Sequence, residues 1–228
     1  MNTNAAHQKA DSFFVSALLA IIGGFLDAYT YNLRDGVLAN AQTGNMVFMV
    51  IRLTEGHLQQ AFFYLIPIFF FMLGVFLVEK IRFYKHAPSA IHWQQIILAI
   101  EFFILLIVSF IPSGPLNMAV NIAIALTCSM QVESFRTVQG NPFASTMCTG
   151  NLRSGSESLF YYTQTRDQQY LKSALHYFGI ITYFLIGVLL GSSLSHVLFE
   201  KATLVCCLLL LICLLMLKKS SAAPDKMS

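Results

Sequence analysis

Apolar residues fall into six stretches along the chain, separated by short polar segments. A helix needs about 20 predominantly apolar residues to cross the hydrocarbon core of a bilayer. Six stretches approach this length, and each is expected to form one transmembrane helix: residues 12–31, 61–79, 93–111, 116–135, 174–194 and 197–217. The last is marginal because Glu200 and Lys201 shorten its apolar part, so the residues before Ala202 are expected at the membrane interface. This pattern predicts an all-α membrane protein.

The positions of Lys and Arg predict how these helices are oriented. Positive residues concentrate in the cytoplasmic loops of membrane proteins. With six spans and a cytoplasmic N-terminus, eleven of the fourteen Lys and Arg residues lie on the cytoplasmic side and three lie outside. If the two short segments described below also crossed the membrane, eight of the Lys and Arg residues would lie on the cytoplasmic side and six would lie outside. The distribution therefore favours six transmembrane helices with both termini in the cytoplasm.

The chain also contains an internal repeat. The tripeptide Thr-Gly-Asn occurs twice, 106 residues apart, and these two TGN motifs consist of Thr43, Gly44 and Asn45 and of Thr149, Gly150 and Asn151. An acid stands sixteen residues before each motif, Asp27 in the first case and Glu133 in the second. Residues 64–77 and 177–190 share Tyr, Gly-Val and Leu in register. We interpret residues 1–228 as a single membrane domain built by tandem duplication, with repeat 1 at about 12–111 and repeat 2 at about 116–217.

Three transmembrane helices per repeat, an odd number, place the two repeats in opposite orientations. Inverted repeats of this kind are the plan of many secondary transporters. The first TGN segment, residues 36–53, is expected on the outer side, and the second, residues 142–162, on the cytoplasmic side. The apolar run at 46–51 is too short to span, about 9 Å as a helix. Each TGN segment is therefore predicted to be a short half-helix or an interfacial segment, and the more polar second one favours the interfacial alternative.

Asp27 is the leading candidate for a functional residue, because it lies inside a strongly apolar stretch. An acid at a helix centre costs about 2.5–3.5 kcal/mol on insertion scales, which the apolar neighbours offset. One interpretation is a site for a proton, a cation or another ligand. The other is a structural acid bonded to Arg136, a Tyr hydroxyl or the backbone N–H groups of a TGN segment. Glu101, in the third stretch, ranks below Asp27 and is expected to partner an Arg or a Tyr.

Glu133 repeats the position of Asp27 near the cytoplasmic end of the fourth stretch. Ser129, Glu133 and Arg136 share one face of the predicted helix. A binding role for Glu133 and Arg136, and a local ion pair between them, are the two alternatives. This stretch is the most polar of the six and is expected to face protein or water, because it also contains Asn117, Asn121 and Gln131.

The TGN motifs contain residues typical of helix starts, where side-chain oxygens cap free N–H groups and Gly permits a tight entry. A helix N-terminus presents free N–H groups and the positive end of the helix dipole. Two such ends, entering from opposite faces, would flank a central anionic group, and Arg34, Arg136 and Arg153 add positive charge nearby. All six motif residues are therefore candidates for ligand or ion binding. The alternative is that both motifs only lock the fold.

Composition restricts the other function classes. Hydrophobic residues make up 56% of the chain and charged residues 11%, against about 25% charged in soluble domains, so the lipid bilayer is the expected surroundings. The net charge of +3 indicates no nucleic-acid partner. The five Cys form no CxxC pair and the six His form no HExxH motif, so neither a metal site nor a cofactor is expected. Hydrolase and phosphate-loop motifs are also absent from the sequence, and the prediction is that the protein is not an enzyme.

The residues around these motifs resemble a known family. GGFLDAYTY at 23–31, GVLANAQTGNMV at 36–47 and MQVESFRTVQGNPFASTMCTGNLRS at 130–154 resemble the YoaK-like family of uncharacterised bacterial multi-pass membrane proteins. The resemblance covers nearly the whole chain. It implies a protein of the bacterial cytoplasmic (inner) membrane with about six spans, and it places Asp27 and both TGN motifs on the family's motif positions. It supplies no substrate.

The function that these observations favour is a small-solute transporter or permease, in which Asp27 and Glu133 titrate or bind a cation. The alternative is a non-transporting assembly or scaffolding protein whose repeated motifs are structural. The substrate, the direction of transport and the coupling ion stay open. A homodimer is also an open alternative for a chain of 228 residues.

Overall fold

A computed structural model describes residues 13–84, 93–138, 141–142 and 148–221 of the chain. Eight α-helices occur in this part, in the order α1 (Phe13–Leu33), α2 (Gln42–Thr54), α3 (Leu58–Tyr84), α4 (Trp93–Val108), α5 (Asn117–Ser134), α6 (Cys148–Thr165), α7 (Gln168–Leu198) and α8 (Thr203–Ser221). A 3-10 turn, Phe199–Ala202, joins α7 to α8. β1 (Thr137–Val138) pairs with β2 (Asn141–Pro142) in an antiparallel ladder of two residues per strand. The predicted all-α fold is confirmed apart from this short pair.

In the part of the chain that the structure describes, three segments are long and apolar enough to cross a membrane. They are Phe13–Leu33, Leu58–Phe83 and Gln168–Leu217, of which the last combines α7, the 3-10 turn and α8. α4 is a shorter apolar helix, and α5, with 18 residues, is not among the three. Membrane association is therefore supported, whereas six full crossings and the inverted orientation stay predictions.

Both TGN segments are helical, and the repeat extends to their first residues. α2 begins at Gln42 and α6 begins at Cys148, in each case one residue before the Thr of the motif. The two helices therefore start 106 residues apart, as the motifs do. α6 reaches Thr165, slightly beyond the end predicted from the sequence.

The helices of the two repeats are exchanged in their packing. α1 packs along α7, and α3 packs along α5. The first helix of each repeat thus lies on the third helix of the other. α2 packs on α3, α6 packs on α7, and α4 packs on α8. The folded protein therefore forms by contact between the repeats rather than by packing of two separate units.

Glycines allow the exchanged pairs to approach closely. A Cβ atom at Gly187 of α7 would overlap the carbonyl oxygen of Ile21 in α1, and one at Gly191 would overlap that of Phe25. In the other pair, a Cβ atom at Gly74 of α3 would overlap the Ser129 hydroxyl in α5. Gly74 and Gly187 are aligned in the sequence repeat, so the same position makes the close contact in both pairs.

α1 is the most enclosed of the three candidate spans. Of 18 consecutive residues in the apolar part of α1, 83% are buried inside the protein. The corresponding fraction is 28% in Leu58–Phe83 and 33% in Gln168–Leu217. Side chains of α1, α4, α5 and α8 form the main apolar core. A polar residue on the buried face of α1 or α5 therefore has protein, rather than lipid, as its neighbour.

Candidate functional site

The chain between α1 and α2 is irregular, yet it is largely buried and folds back onto α1. Within residues 37–41, the N–H of Asn40 donates to Oδ1 of Asp27 at 2.6 Å. The backbone N–H groups of Ala39 and Ala41 also lie near this carboxylate and favour its charged form. Asp27 itself is 4% exposed. The side chain thus binds backbone N–H groups, as one alternative anticipated, but these donors lie just upstream of the TGN motif rather than within it.

Asn40 links this segment to two helices. Its side-chain amide donates to the carbonyl oxygen of Gly23 in α1 at 3.1 Å, and it lies within hydrogen-bonding reach of the Cys128 thiol in α5. The Oδ1 atom of Asn40 is buried and has no hydrogen-bond partner among the described residues. A buried acceptor without a hydrogen-bond donor destabilises the fold by about 1–3 kcal/mol. A ligand that donated a hydrogen bond to this oxygen would therefore bind favourably there.

The first TGN motif occupies the first turn of α2, and Asn45 is its fully buried member. Oδ1 of Asn45 accepts from the N–H of Leu38 at 2.9 Å, while Nδ2 donates to the carbonyl oxygen of Leu38 at 2.7 Å. Ala41 holds the N-cap position and makes no side-chain cap. The prediction that the motif caps the helix is wrong here, because the helix begins before Thr43. Asn45 instead holds the preceding segment in place from inside the helix.

The second TGN motif shows the same pattern of burial. Asn151 is buried in α6, whereas Thr149 and Gly150 are exposed. A Cβ atom at Gly150 would meet nothing within 4 Å. The counterpart of the 37–41 segment, residues 143–147, lies outside the described residues. Within the described residues, the two motifs therefore share the position of the helix start and the burial of the Asn.

α6 begins close to Asp27. Burial, and after it the negative charge of Asp27, raise the pKa of the Cys148 thiol above its ordinary value. The carboxylate thus lies within electrostatic reach of the first residue of α6, while it also binds the segment that leads into α2. The segment that leads into α2 bonds directly to this buried carboxylate, and the start of α6 interacts with it electrostatically. This resembles the expected pair of helix ends around an anion, except that the anion is a side chain of the protein.

Glu133, the counterpart of Asp27, lies in a different environment. Four residues, hereafter the four-charge cluster, join α3 to the end of α5: Glu79, Arg82, Glu133 and Arg136. Arg136 pairs with both acids, while Arg82 pairs with Glu79 and, at 3.4 Å, with Glu133. The local pair of Glu133 and Arg136 that the sequence left open is therefore present, as part of a larger network. The side chains of Glu79 and Arg136 are 44% and 51% exposed, so water reaches this cluster.

Arg34 was expected only as a positive charge near the motifs, but it is fully buried. It donates to the Tyr29 hydroxyl at 2.7 Å, to the carbonyl oxygens of Ile111 and Pro112 at 2.7 and 3.2 Å, and to Oδ1 of Asn117 at 3.0 Å. We call these five residues the Arg34 network. They tie the end of α1 to the connection between α4 and α5, and every acceptor is a neutral group.

Glu101 of α4 is a second buried acid, which the sequence analysis ranks below Asp27. It is fully buried and faces Gln131 of α5, whose nearer amide atom lies 3.0 and 3.1 Å from the two carboxyl oxygens. An amide thus replaces the expected Arg or Tyr. Four thiols lie within electrostatic reach of the carboxyl group, those of Cys128, Cys206, Cys207 and Cys213. Across the described ranges, no group of three or more His, Cys, Asp or Glu is placed to hold a metal ion. The sequence feature that indicates a special role for Glu101 is that it is a single acid in an otherwise apolar helix.

The comparison with protein-family models identifies the family. Residues 15–216 match the model of DUF1275, whose description is a protein of unknown function. The chain belongs to the DUF1275 family. A search of curated proteins and a search of solved structures each gave no match. The family match is consistent with the YoaK-like resemblance, although that name stays a prediction. Because the family description assigns no activity, the function has to be argued from the arrangement around Asp27.

Proposed function

We propose that this DUF1275 protein is a small-solute transporter or permease of the bacterial cytoplasmic membrane. It has six transmembrane helices in two inverted repeats, and both termini are cytoplasmic. The solute or ion binds between α1 and α5, where Asp27 and Asn40 meet the starts of the two TGN helices. Asp27 is the acid that the solute engages, and Glu133 lies where the path opens at the other end of α5.

The packing supports the inverted arrangement. A two-fold axis that exchanges the repeats would convert the pair of α1 and α7 into the pair of α5 and α3, and it would convert the pair of α4 and α8 into itself. All of these pairs occur. The close contact of Gly187 with Ile21 likewise has its counterpart in that of Gly74 with Leu126 and Ser129. Inverted repeats related in this way surround the binding sites of many secondary transporters.

One observation carries the proposal: irregular backbone is buried beside an acid where two helices begin. Such backbone persists at membrane depth only when it is enclosed by protein or lines a wet cavity. Residues 37–41 meet this condition against Asp27, and the first residue of α6 lies within reach of the same carboxylate. In transporters, interrupted helices with this geometry hold the substrate and the coupling ion.

A non-transporting assembly or scaffolding protein is the second candidate, and the bonding of two side chains favours it. Asp27 accepts hydrogen bonds from its own chain, and Asn45 bonds both backbone groups of Leu38. Residues that are satisfied in this way are sufficient to lock the fold without any ligand. The two candidates differ in whether water reaches the motifs.

Accessibility labelling tests this difference and the inverted orientation together. In a variant with all five cysteines replaced by Ala, a single Cys is introduced at Thr43 or at Thr149, which are equivalent and exposed. A membrane-impermeant maleimide should label Thr43→Cys only in intact cells and Thr149→Cys only in inside-out vesicles. Glu55→Cys and Asp167→Cys, at exposed helix ends, are the positive controls. Labelling of both motifs from one side would reject the inverted repeats, and labelling of the controls alone would reject transport.

Asp27→Asn separates the two functions. The variant retains Oδ1 as an acceptor for the N–H of Asn40, so it should still fold. Uptake of a panel of small ions and polar solutes into proteoliposomes should fall about tenfold or more, the loss expected for one hydrogen bond to a charged group. Glu55→Gln, an exposed acid paired only with Arg52, serves as the control. Loss of folded Asp27→Asn protein, rather than of uptake, would favour the scaffold.

A further inference from the structure

α4 carries a carboxyl group that the proposed solute site does not use. Glu101 is fully buried, and it takes part in none of the ion pairs found in the described residues. Burying an ionised carboxylate without a cationic partner is unfavourable, and such acids within membrane helices mark proton or ion pathways.

Gln131 of α5 can satisfy this carboxyl group in both of its protonation states. With Nε2 donating to the carbonyl oxygen of Leu19 at 3.3 Å, Oε1 faces Glu101 and accepts a hydrogen bond from the protonated acid. With the amide turned over, Nε2 donates to both oxygens of the ionised carboxylate, at 3.1 and 3.0 Å. A side-chain amide carries both a donor and an acceptor, and it exchanges their positions when it turns over. A rotation of one side chain thus follows the gain or loss of one proton.

The other titratable neighbours are thiols and one acid. Cys128 faces Glu101 from α5, and Cys206, Cys207 and Cys213 face it from α8. Asp27, on α1, acts on the same Cys128 thiol that Glu101 does. These groups are neutral or negative, so they favour the protonated acid until water or a cation enters the region.

We infer that Glu101 is a reversible proton-binding site, with Gln131 as the amide that adapts to each protonation state. On release, the proton passes from the carboxyl oxygen to water that enters beside α5, and Gln131 turns to donate to the carboxylate. The coupling role of this proton rests on the proposed function: Cys128 and Asn40 connect Glu101 to Asp27, so a proton at Glu101 alters the charge that a solute meets there.

Infrared difference spectroscopy tests the site without any transport assay. Purified protein in vesicles of phosphatidylethanolamine and phosphatidylglycerol is taken from about pH 5 to about pH 9, a range beyond the ordinary carboxyl pKa. One component of the protonated-carboxyl C=O absorption, distinct from any component that Asp27→Asn removes, should disappear as the pH rises. It should be missing from Glu101→Gln and retained in Glu79→Gln, which removes a half-exposed acid. In Gln131→Leu the band should persist at a shifted frequency, because the hydrogen bond to the amide is lost.

A second measurement needs no variant. Dicyclohexylcarbodiimide reacts with protonated carboxyl groups in apolar surroundings, and peptide mass spectrometry of the wild type should find it on Glu101, with less adduct at high pH, and not on Glu55. A band or an adduct that does not change with pH would make Glu101 a permanently neutral structural group and overturn the inference. Absence of both would overturn it as well. If Glu101 titrates but the protein moves no solute, the proton site is retained and the transport function is rejected. If the protein takes up solute but Glu101 does not titrate, the transport function is retained and the proton site is rejected.

Discussion

The ends of α1 and α5 are equivalent in the repeat, but they are held by different electrostatics. The Arg34 network surrounds one buried cation with neutral oxygens at the end of α1. The four-charge cluster pairs two arginines with two acids at the end of α5, and its side chains are partly exposed. The two halves share the order and the packing of their helices, while the charges at the ends of α1 and α5 differ.

The difference predicts how each end responds to mutation and salt. A buried guanidinium has lost its hydration, so removing it or its partners leaves polar groups without hydrogen bonds. An ion pair that water reaches contributes about 0–1 kcal/mol and is screened by salt. We therefore expect the Arg34 network to stabilise the fold strongly and the four-charge cluster to stabilise it weakly.

Arg34→Ala should have the largest effect. It leaves the Tyr29 hydroxyl and two carbonyl groups without this donor, at about 1–3 kcal/mol for each buried group, so we expect a loss of about 3–5 kcal/mol of unfolding free energy. Arg34→Lys should recover only part of it, because an ammonium group lacks the planar fork of five donors. Thermal stability in detergent, followed by gel filtration of the heated protein, measures the loss. Arg153→Ala, at an exposed position of α6, is the control, and equal melting of the two Ala variants would contradict the prediction.

Gly187→Ala tests whether the exchanged helix pairs also differ. Its Cβ would overlap a backbone carbonyl that cannot move independently, and a loss of about 3 kcal/mol is expected, at the upper end for over-packing. Gly74→Ala meets the Ser129 hydroxyl as well as the carbonyl oxygen of Leu126. Ser129→Ala should therefore partly rescue Gly74→Ala in the same melting assay.

Gly150→Ala is the matched control for both glycine variants, because nothing lies within 4 Å of its Cβ. It should leave stability unchanged or raise it by up to about 1 kcal/mol, since Ala favours the helix. A melting point for Gly187→Ala similar to that of Gly150→Ala would show that α1 and α7 are not in close contact.

Asn45→Ala and Asn151→Ala should have intermediate and similar effects. Asn45→Ala leaves both backbone groups of Leu38 without their partner, with an expected loss of about 1–3 kcal/mol. If Asn151 has the same role in its half of the chain, its variant will melt within a few degrees of Asn45→Ala. A stable Asn151→Ala would show that the two TGN motifs have diverged as the charged ends did.

Glu79→Gln should have the smallest effect, within about 1 kcal/mol, because the Glu79 side chain is 44% exposed. Adding salt to about 1 M, where the Debye length is about 3 Å, should lower the stability of the wild type by a similar amount and should not affect Glu79→Gln further. Trp93 stacks with Arg82 of the cluster and is the single Trp of the chain, so its fluorescence reports this end. A variant that loses much more stability at every salt concentration would contradict the weak role of the cluster.

The sequence predicted the helices well because their signal is local. Apolar stretches placed α1 and α3 to α5, and the repeat predicted that helices start at both TGN motifs. The partners of the polar side chains could not be predicted, because they depend on contacts between distant segments. Asp27 accepts a hydrogen bond from the N–H of Asn40, Asn45 bonds back to Leu38, and Glu101 lies against Gln131 on another helix. Arg34 was expected near solvent, since nothing in its neighbourhood indicates that Tyr29 and Ile111 enclose it.

The exchanged packing of α1 on α7 and of α3 on α5 also bears on biosynthesis and ancestry. While the first repeat emerges from the ribosome, the glycine-lined contact surface of α1 has no partner, because α7 is still untranslated. The nascent half must wait in the bilayer, or with a chaperone, until the second half is inserted. If the chain arose by duplication, as we propose from the sequence repeat, a single ancestral half would have needed a second copy of itself to supply the helix that it lacked.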